Sequence, residues 1–208
     1  MADAFDGLYR LPASDVGRAA AVLTAAFRAD PIWSRIFEAE PDLSRRAAAF
    51  EAPIKFCRRY GSVYATSPNL EGVAAFAYGE SADMTVLRMI LSGAMSSGMR
   101  MGLEIARRLE LVFRPVQADR RENMRGRPYV YLVVLGVGPE FQGKGWGGKL
   151  LRGIISHCRE RGRALYLDTE TEANVRMYEH YGFRTIKQIV LPELGLPMWE
   201  MVKDTERG

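Results

Sequence analysis

The stretch 135–148, LGVGPEFQGKGWGG, joins an apolar, β-branched run to an amphipathic one, and six of its fourteen residues are glycine. The run before it, Tyr129–Val137, predicts a strand buried on both faces, and GGKLLRGIISHCRERG after it predicts a helix with one apolar face. A glycine-rich turn at a helix N-terminus is typical of an anion site, because unpaired backbone N–H groups and the helix dipole point there. The stretch therefore predicts an α/β fold with a phosphate-type ligand at this turn.

Three phosphate-binding patterns fit parts of this loop. Read from Gly138, GPEFQGKG is a nucleotide P-loop, but Gly145 stands where that loop needs a magnesium-binding hydroxyl. Read from Gly143, GKGWGG is the dinucleotide pattern G-x-G-x-x-G, but four residues separate it from the strand and too little chain follows for that fold. Read from Gln142, QGKGWG is Q-x-x-G-x-G, which acetyl-coenzyme A enzymes use, and this interpretation also explains the neighbouring strand and helix.

Composition narrows the class of protein without identifying the ligand. Hydrophobic residues are 48% and charged residues 26% of the chain, which is ordinary for a globular protein, and the length predicts a single domain over residues 1–208. The net charge of +4 suits an anionic ligand, while the scattered basic residues do not predict nucleic-acid binding. No apolar run is long enough to span a membrane, and the N-terminus lacks a signal-peptide pattern. Cys57 and Cys158 show no pairing pattern, which predicts a reduced, cytoplasmic protein. The chain has only two histidines, and neither has a Cys or carboxylate at ligand spacing, so no metal site is predicted.

The rest of the chain alternates between helical and strand patterns. Helical periodicity predicts segments at 14–27, 29–37, 42–61 and 171–182. Strand patterns predict segments at 8–11, 62–66, 72–79, 164–169, 183–191 and 196–203. Pro53 is expected to bend or split the third helix, and residues 83–122 predict two helices because Gly93, Gly98 and Gly102 weaken the middle. These elements predict an α/β fold with a mixed sheet, in which two helix-linked crossovers lie beside a final antiparallel pair.

A second signal, NVRMYEHYGF, follows the strand that comes after the loop helix. Asn174 and Tyr178 are four residues apart, so they share one helix face. Because that strand is expected beside the loop strand, the N-terminal face of this helix is predicted to look across the cleft between the two strand ends. An amide and a phenol would then face the ligand. The alternatives are that Tyr178 only packs, or that Tyr181 has the role.

Together, LGVGPEFQGKGWGGKLL and NVRMYEHYGF resemble the GNAT superfamily of N-acetyltransferases, over about residues 128–203. The segments LDTETEANVRMYEHYGF, LPELGLPMWEM and AAAVLTAAFRADP are similar to the puromycin N-acetyltransferase-like members of that superfamily. The resemblance implies the GNAT-like acyl-CoA N-acyltransferase fold, which is a mixed, mostly antiparallel twisted sheet flanked by helices. It implies acetyl-CoA as the co-substrate. It also implies that the acetyl group moves to a primary amine by direct attack, with no acyl-enzyme and no metal.

The resemblance further implies a role for each residue at the motif positions. The backbone of Leu135 and Val137 would pair with the pantetheine arm of acetyl-CoA, and Asn174 would hydrogen-bond this arm near the thioester. Tyr178 would be the catalytic residue, because it would donate a hydrogen bond to the departing thiolate. The pyrophosphate would be held by the backbone amides of the loop, whose residues are Gln142, Gly143, Lys144, Gly145, Trp146 and Gly147.

The sequence leaves the general base and the acceptor open. The loop strand has no acid, so Asp168, Glu170, Glu172 or a water chain remain as candidates for removing the proton of the amine. The acceptor is predicted to be a small-molecule amine bound by residues 27–37 and 83–122. Five methionines between 84 and 101 either fill the core or line that pocket. The alternatives are a peptide or protein amine as acceptor, or a non-catalytic CoA-binding sensor module, and a homodimer is also left open.

Overall fold

The computed structural model describes residues 4–205, and its strands form one seven-stranded sheet flanked by helices. The strands are β1 (Tyr9–Arg10), β2 (Gly61–Ala65), β3 (Gly72–Tyr78), β4 (Tyr129–Val137), β5 (Ala164–Thr169), β6 (Arg184–Val190) and β7 (Pro197–Lys203). The helices are α1 (Val16–Ala26), α2 (Pro31–Ile36), α3 (Leu43–Tyr60), α4 (Val86–Leu91), α5 (Ala94–Met101), α6 (Leu103–Asn123), α7 (Trp146–Glu160) and α8 (Glu172–His180). The predicted mixed α/β class is confirmed.

The strand order is β1-β2-β3-β4-β5-β7-β6, and every neighbouring pair is antiparallel except β4 and β5. The parallel pair is joined by α7, as a crossover connection requires. Helices α1, α3 and α6 contribute to the core on one face of the sheet, and α7 and α8 contribute to the core on the other. Because β4 and β5 are parallel, their carboxyl ends lie at the same edge of the sheet, where α7 and α8 begin.

The pairing between β4 and β5 is short. Only Tyr129–Tyr131 pair with Ala164–Tyr166, although β4 continues to Val137 and β5 continues to Thr169. Beyond the paired residues the two strands part, and a gap opens through the sheet. The space at this gap is lined by residues of the α1 face, such as Phe27, and by residues of the α7 face, such as Tyr178.

A β-bulge in β4 lies beside the gap. Adjacent residues of β3 pair with Leu132 and Val134, so Val133 is an extra residue in β4. Val133 and Val134 consequently both pack on the α1 side, whereas Leu135 packs on the α7 side. The predicted burial of β4 on both faces is confirmed, because Val134 lies in the core on the α1 side and Leu132 lies in the core on the α7 side. Four of its side chains are only partly buried: Tyr131, Val133, Leu135 and Val137.

Residues 83–122 differ from the prediction, because they form three helices rather than two. Gly93 and Gly102 separate α4, α5 and α6 with φ values of 74° and 85°, which are left-handed conformations that favour glycine. Gly98 instead lies within α5, where its φ is not positive. The glycine pattern indicated helix breaks in this segment, and the tertiary structure decided which glycines serve as breaks.

Helix α3 departs from its prediction in one respect, because it runs continuously through Pro53, which neither ends nor splits it. The helix ends at Tyr60, in agreement with the predicted segment 42–61. Gly61 is its C-cap, and it begins β2 with an extended φ of −171°. A Cβ atom there would lie 1.9 Å from the carbonyl oxygen of Phe76, so close strand packing is what requires glycine at this position.

Candidate functional site

Two adjoining cavities lie at the gap between β4 and β5. The inner cavity, of about 90 Å³, lies between the parted strands and α8. The loop cavity, of about 380 Å³, lies between the end of β4, the glycine loop, α7 and α8. Leu135 and Asn174 line both cavities, so the two spaces meet at these side chains.

The loop cavity brings together residues that the sequence selected for cofactor binding. Its lining includes all of them except Lys144: Leu135, Val137, Gln142, Gly143, Gly145, Trp146, Gly147 and Asn174. The ammonium group of Lys144 instead donates a hydrogen bond to the carbonyl oxygen of Glu140 at 2.9 Å and lies over the ring of Phe141. Lys144 is therefore a charge beside the loop cavity rather than part of its wall.

The backbone of the loop has the conformation that an anion cradle needs. Gly143 and Gly145 have φ values of 74° and 83°, and no heavy atom outside their chain neighbours lies within 4 Å of a Cβ built at either one. Gly145 is the N-cap of α7, whose first backbone N–H groups have no intrahelical acceptor. The side-chain amide of Gln142 donates a hydrogen bond to the carbonyl oxygen of Val137 at 3.2 Å, which joins the loop to the end of β4. These residues fit a pyrophosphate at the α7 N-terminus.

Asn174 and Tyr178 share the face of α8 that borders the inner cavity. The Thr171 hydroxyl caps α8 by accepting from the backbone N–H of Asn174 at 3.2 Å. The Asn174 amide donates to Glu170 at 3.5 Å. Tyr178 is buried with its ring edge-on to Phe183, at 5.4 Å between centroids. Burial, and then the charge of Glu170, raise the pKa of Tyr178, so its hydroxyl keeps the proton needed to donate a hydrogen bond.

Of the three acids left open by the sequence, Asp168 and Glu170 line the inner cavity. Glu172 lies in the first turn of α8, is exposed, and pairs with Arg176 at 3.3 Å. It does not line either cavity. Its position is that of a helix N-terminal acid, which is stabilised by the helix dipole.

The two acids in the inner cavity, Asp168 and Glu170, differ in pKa. Burial raises the pKa of Asp168 to about 6, against an opposing hydrogen bond that the Tyr131 hydroxyl donates at 2.8 Å. Burial, followed by a hydrogen bond and charge from Asp30, raises the pKa of Glu170 still further above its ordinary value. Asp168 is therefore ionised in a pH range in which Glu170 still keeps its proton.

The inner cavity also has an apolar and aromatic part. This part is lined by Phe27, Ile32 and Trp33 from the first part of the chain, Phe113 from α6 and Met198 from β7. The predicted segments 27–37 and 83–122 thus both reach it, but none of the five methionines between 84 and 101 does. Tyr131 also lines the cavity, and the sequence patterns did not identify it. A polar hydroxyl in a mainly aliphatic strand was the feature that could have indicated it.

Neither cysteine belongs to the site. Cys57 and Cys158 are buried and lie outside the lining of both cavities. Burial raises the pKa of both thiols, to about 12 for Cys158, which disfavours the thiolate that a cysteine nucleophile needs.

Among residues 4–205, no group of three or more His, Cys, Asp or Glu residues is arranged to hold a metal ion. In the same part of the chain, no helix has the length and apolar character of a membrane span.

Residues 110–183 match the model of the Acetyltransferase (GNAT) family, and this segment runs from α6 to the end of the α8 turn. A mycothiol acetyltransferase of Propionibacterium freudenreichii subsp. shermanii is 45% identical over 64 residues, which is 29% of this chain and 20% of the relative. The curated relatives are matched over only 18–32% of their own length.

Similarity in structure extends over nearly the whole chain. An acetyltransferase of Corynebacterium glutamicum, described as histone acetyltransferase HPA2 and related acetyltransferase, has a TM-score of 0.63 at 20% identity and 95% coverage of both chains. The polyamine N-acetyltransferase of Drosophila melanogaster, which forms N-acetylagmatine, has a TM-score of 0.63 at 14% identity, with 95% of this chain and 98% of the other covered. At these identities the similarity shows a shared fold.

Proposed function

We propose that this chain, as a GNAT-superfamily acetyltransferase, moves the acetyl group of acetyl-CoA to the primary amine of a small molecule. The observation that carries the proposal is the gap between β4 and β5, where the loop cavity and the inner cavity meet at Leu135 and Asn174. A cofactor on the α7 side and an amine on the α1 side can meet only at such a passage. The finer likeness to puromycin N-acetyltransferases stays a prediction.

The loop cavity supports the cofactor half of the proposal. Acetyl-CoA supplies an acetyl group activated as a thioester, and its pyrophosphate matches the N–H groups between Gln142 and Gly147. The unpaired edge of β4 at Leu135 and Val137 suits an extended pantetheine arm, although the Val137 carbonyl already accepts from Gln142. Asn174 stands where this arm would pass from the loop cavity to the inner cavity.

We assign the general base to Asp168. Its side chain lines the inner cavity, and its Oδ1 atom is buried with no hydrogen-bond donor among residues 4–205. With a pKa of about 6, Asp168 is ionised at neutral pH and can accept a proton from an ammonium group. Glu170 keeps its own proton in this range and is proposed to orient Asn174. Tyr178 is proposed to donate a hydrogen bond to the developing thiolate.

The inner cavity supports a small acceptor rather than a protein surface. Phe27, Trp33 and Phe113 form an apolar wall in the cavity that the two acids also line. Such a wall favours an amine carried on a compact apolar or aromatic body, since the cation faces carboxylates while the body is removed from water. A peptide or protein amine remains the competing acceptor.

The test is release of free thiol from acetyl-CoA in the presence of amines of three kinds. The panel contains aromatic alkylamines, linear polyamines and peptides with free N-termini or lysines. We expect the highest kcat/KM with a compact aromatic or apolar primary amine. Preference for peptides would favour the competing acceptor, and binding of acetyl-CoA without thiol release from any amine would favour a sensor module.

A further inference from the structure

Asp168 faces a second buried acid across the sheet. In the antiparallel pairing of β5 with β7, Asp168 lies directly opposite Glu200, and directly opposite residues have their Cβ atoms about 5 Å apart on one face. Glu200 is fully buried and does not line either cavity. The sequence patterns gave no signal for it, because an acid within a strand otherwise predicts a solvent-facing residue.

Each of the two acids has one oxygen atom without a hydrogen-bond donor. Among residues 4–205, Asp168 Oδ1 and Glu200 Oε1 are buried and unpartnered. The other oxygens are satisfied, because Tyr131 donates to Asp168 Oδ2 at 2.8 Å and Asn123 donates to Glu200 Oε2 at 2.7 Å. A buried carboxylate oxygen with no donor is costly unless it binds a proton.

Tyr166 lies between the two acids. Its hydroxyl donates to Glu200 Oε2 at 2.8 Å, and it lies close enough to Asp168 that each group shifts the pKa of the other. Burial raises the pKa of Tyr166, so its hydroxyl transfers a proton only by accepting one as it donates its own.

Beyond Glu200, the chain of polar groups reaches the protein surface. Asp119 of α6 lies close enough to Glu200 to raise its pKa, and the Asp119 carboxylate pairs with Lys187 of β6 at 2.6 Å. The Asp119 and Lys187 side chains are 18% and 39% exposed. Further titratable or charged groups lie close enough to interact with members of this cluster: Glu170, Tyr129, Tyr131, Arg120, Asp83 and Glu122.

We infer that Asp168, Tyr166 and Glu200 form a proton relay, which carries the proton of the acceptor amine from the inner cavity through the sheet to Asp119. The inference rests on the proposed function. The ammonium N–H bond breaks and its proton binds the Asp168 carboxylate. A proton then passes from Asp168 to the Tyr166 oxygen while the Tyr166 proton passes to Glu200. Release from Glu200 to Asp119 and solvent restores ionised Asp168, so no oxidant or further reactant is needed.

The test compares Glu200→Gln and Tyr166→Phe with wild type. We expect kcat to fall by about tenfold to a hundredfold in each, with little change in the KM for acetyl-CoA. The solvent deuterium isotope effect on kcat should rise, since proton removal becomes rate-limiting. Glu51→Gln is the control, because Glu51 is also a buried glutamate that accepts from a hydroxyl, that of Ser97, but lies on α3. It should change stability without changing the isotope effect.

A second measurement does not depend on turnover. Carbon-13 NMR titration of the Glu200 carboxyl in the ligand-free protein should show a lower pKa in Asp168→Asn, because the charge of Asp168 raises the pKa of Glu200. Wild-type kcat and isotope effect in both Glu200→Gln and Tyr166→Phe, or an unchanged Glu200 titration in Asp168→Asn, would overturn the relay. If Glu200→Gln does not fold, Tyr166→Phe and the surface variant Asp119→Asn carry the kinetic test.

The relay and the proposed function can fail separately. If Asp168→Asn loses activity while Glu200→Gln and Tyr166→Phe turn over normally, Asp168 remains the general base and the relay is refuted. A wild-type chain that acetylates no amine would refute the proposed function, and the carboxyl titration would still decide whether Asp168 and Glu200 interact.

Discussion

Tyr178 combines burial with a position on the cavity wall. Its raised pKa makes full proton transfer to a thiolate even less favourable than for a free tyrosine, which is already uphill by about 2 kcal/mol. A hydrogen bond to the leaving sulfur needs no such transfer. Tyr178→Phe should therefore lower kcat by roughly one to three orders of magnitude and leave acetyl-CoA affinity nearly unchanged. Steady-state kinetics with calorimetric binding checks this, and an unchanged kcat would exclude Tyr178 from the mechanism.

Asp168 should set the acidic limb of the pH profile. A base works only when ionised, so kcat/KM should rise with pH through about 6, the pKa of Asp168, and level off above it. Asp168→Asn should lower kcat by roughly two to four orders of magnitude and lose this limb. Glu170→Gln is the control variant, and it should keep the acidic limb, because Glu170 already keeps its proton in this pH range. An acidic limb that persisted in Asp168→Asn would assign the base elsewhere.

The glycine loop is the element in which sequence and structure agree most closely. Gly145 begins α7 and Gly162 follows its end, both with positive φ and both with open space around a built Cβ. Gly145→Ala and Gly162→Ala should each cost about 1 kcal/mol of stability, from the strain of a left-handed alanine. Only Gly145→Ala should also raise the KM for acetyl-CoA, because it alters the N–H groups of the loop. Equal KM values in the two variants would contradict a pyrophosphate site here.

Other elements were predictable in kind but not in detail. Helical periodicity located α1, α3, α7 and α8, since each buries one apolar stripe. The three-way division of residues 83–122 and the continuity of α3 through Pro53 were not predicted. Both depend on packing, because Gly98 and Pro53 each carry a local preference that the surrounding structure overrides.

At the scale of the whole molecule, binding of acetyl-CoA should stabilise the fold. A ligand that binds only the folded state at about 100 times its Kd contributes about 2.7 kcal/mol. For a chain of this size that corresponds to a rise in Tm of roughly 5–10 °C. Thermal shift with acetyl-CoA, ATP and NAD checks this. Stabilisation by ATP or NAD but not by acetyl-CoA would favour the P-loop or the dinucleotide interpretation of the loop instead.

The sequence by itself determined the α/β class, the glycine loop and the pairing of Asn174 with Tyr178 on one helix face. These features depend on neighbours within a few residues, through backbone conformation and helical periodicity. Only the tertiary structure decided where β4 and β5 part, and how the bulge at Val133 changes the direction of Leu135. It also decided that Asp168 rather than Glu172 borders the cavity, and that Glu200 lies opposite Asp168. Strand register and burial are set by residues far apart in the chain, so no local pattern carries them.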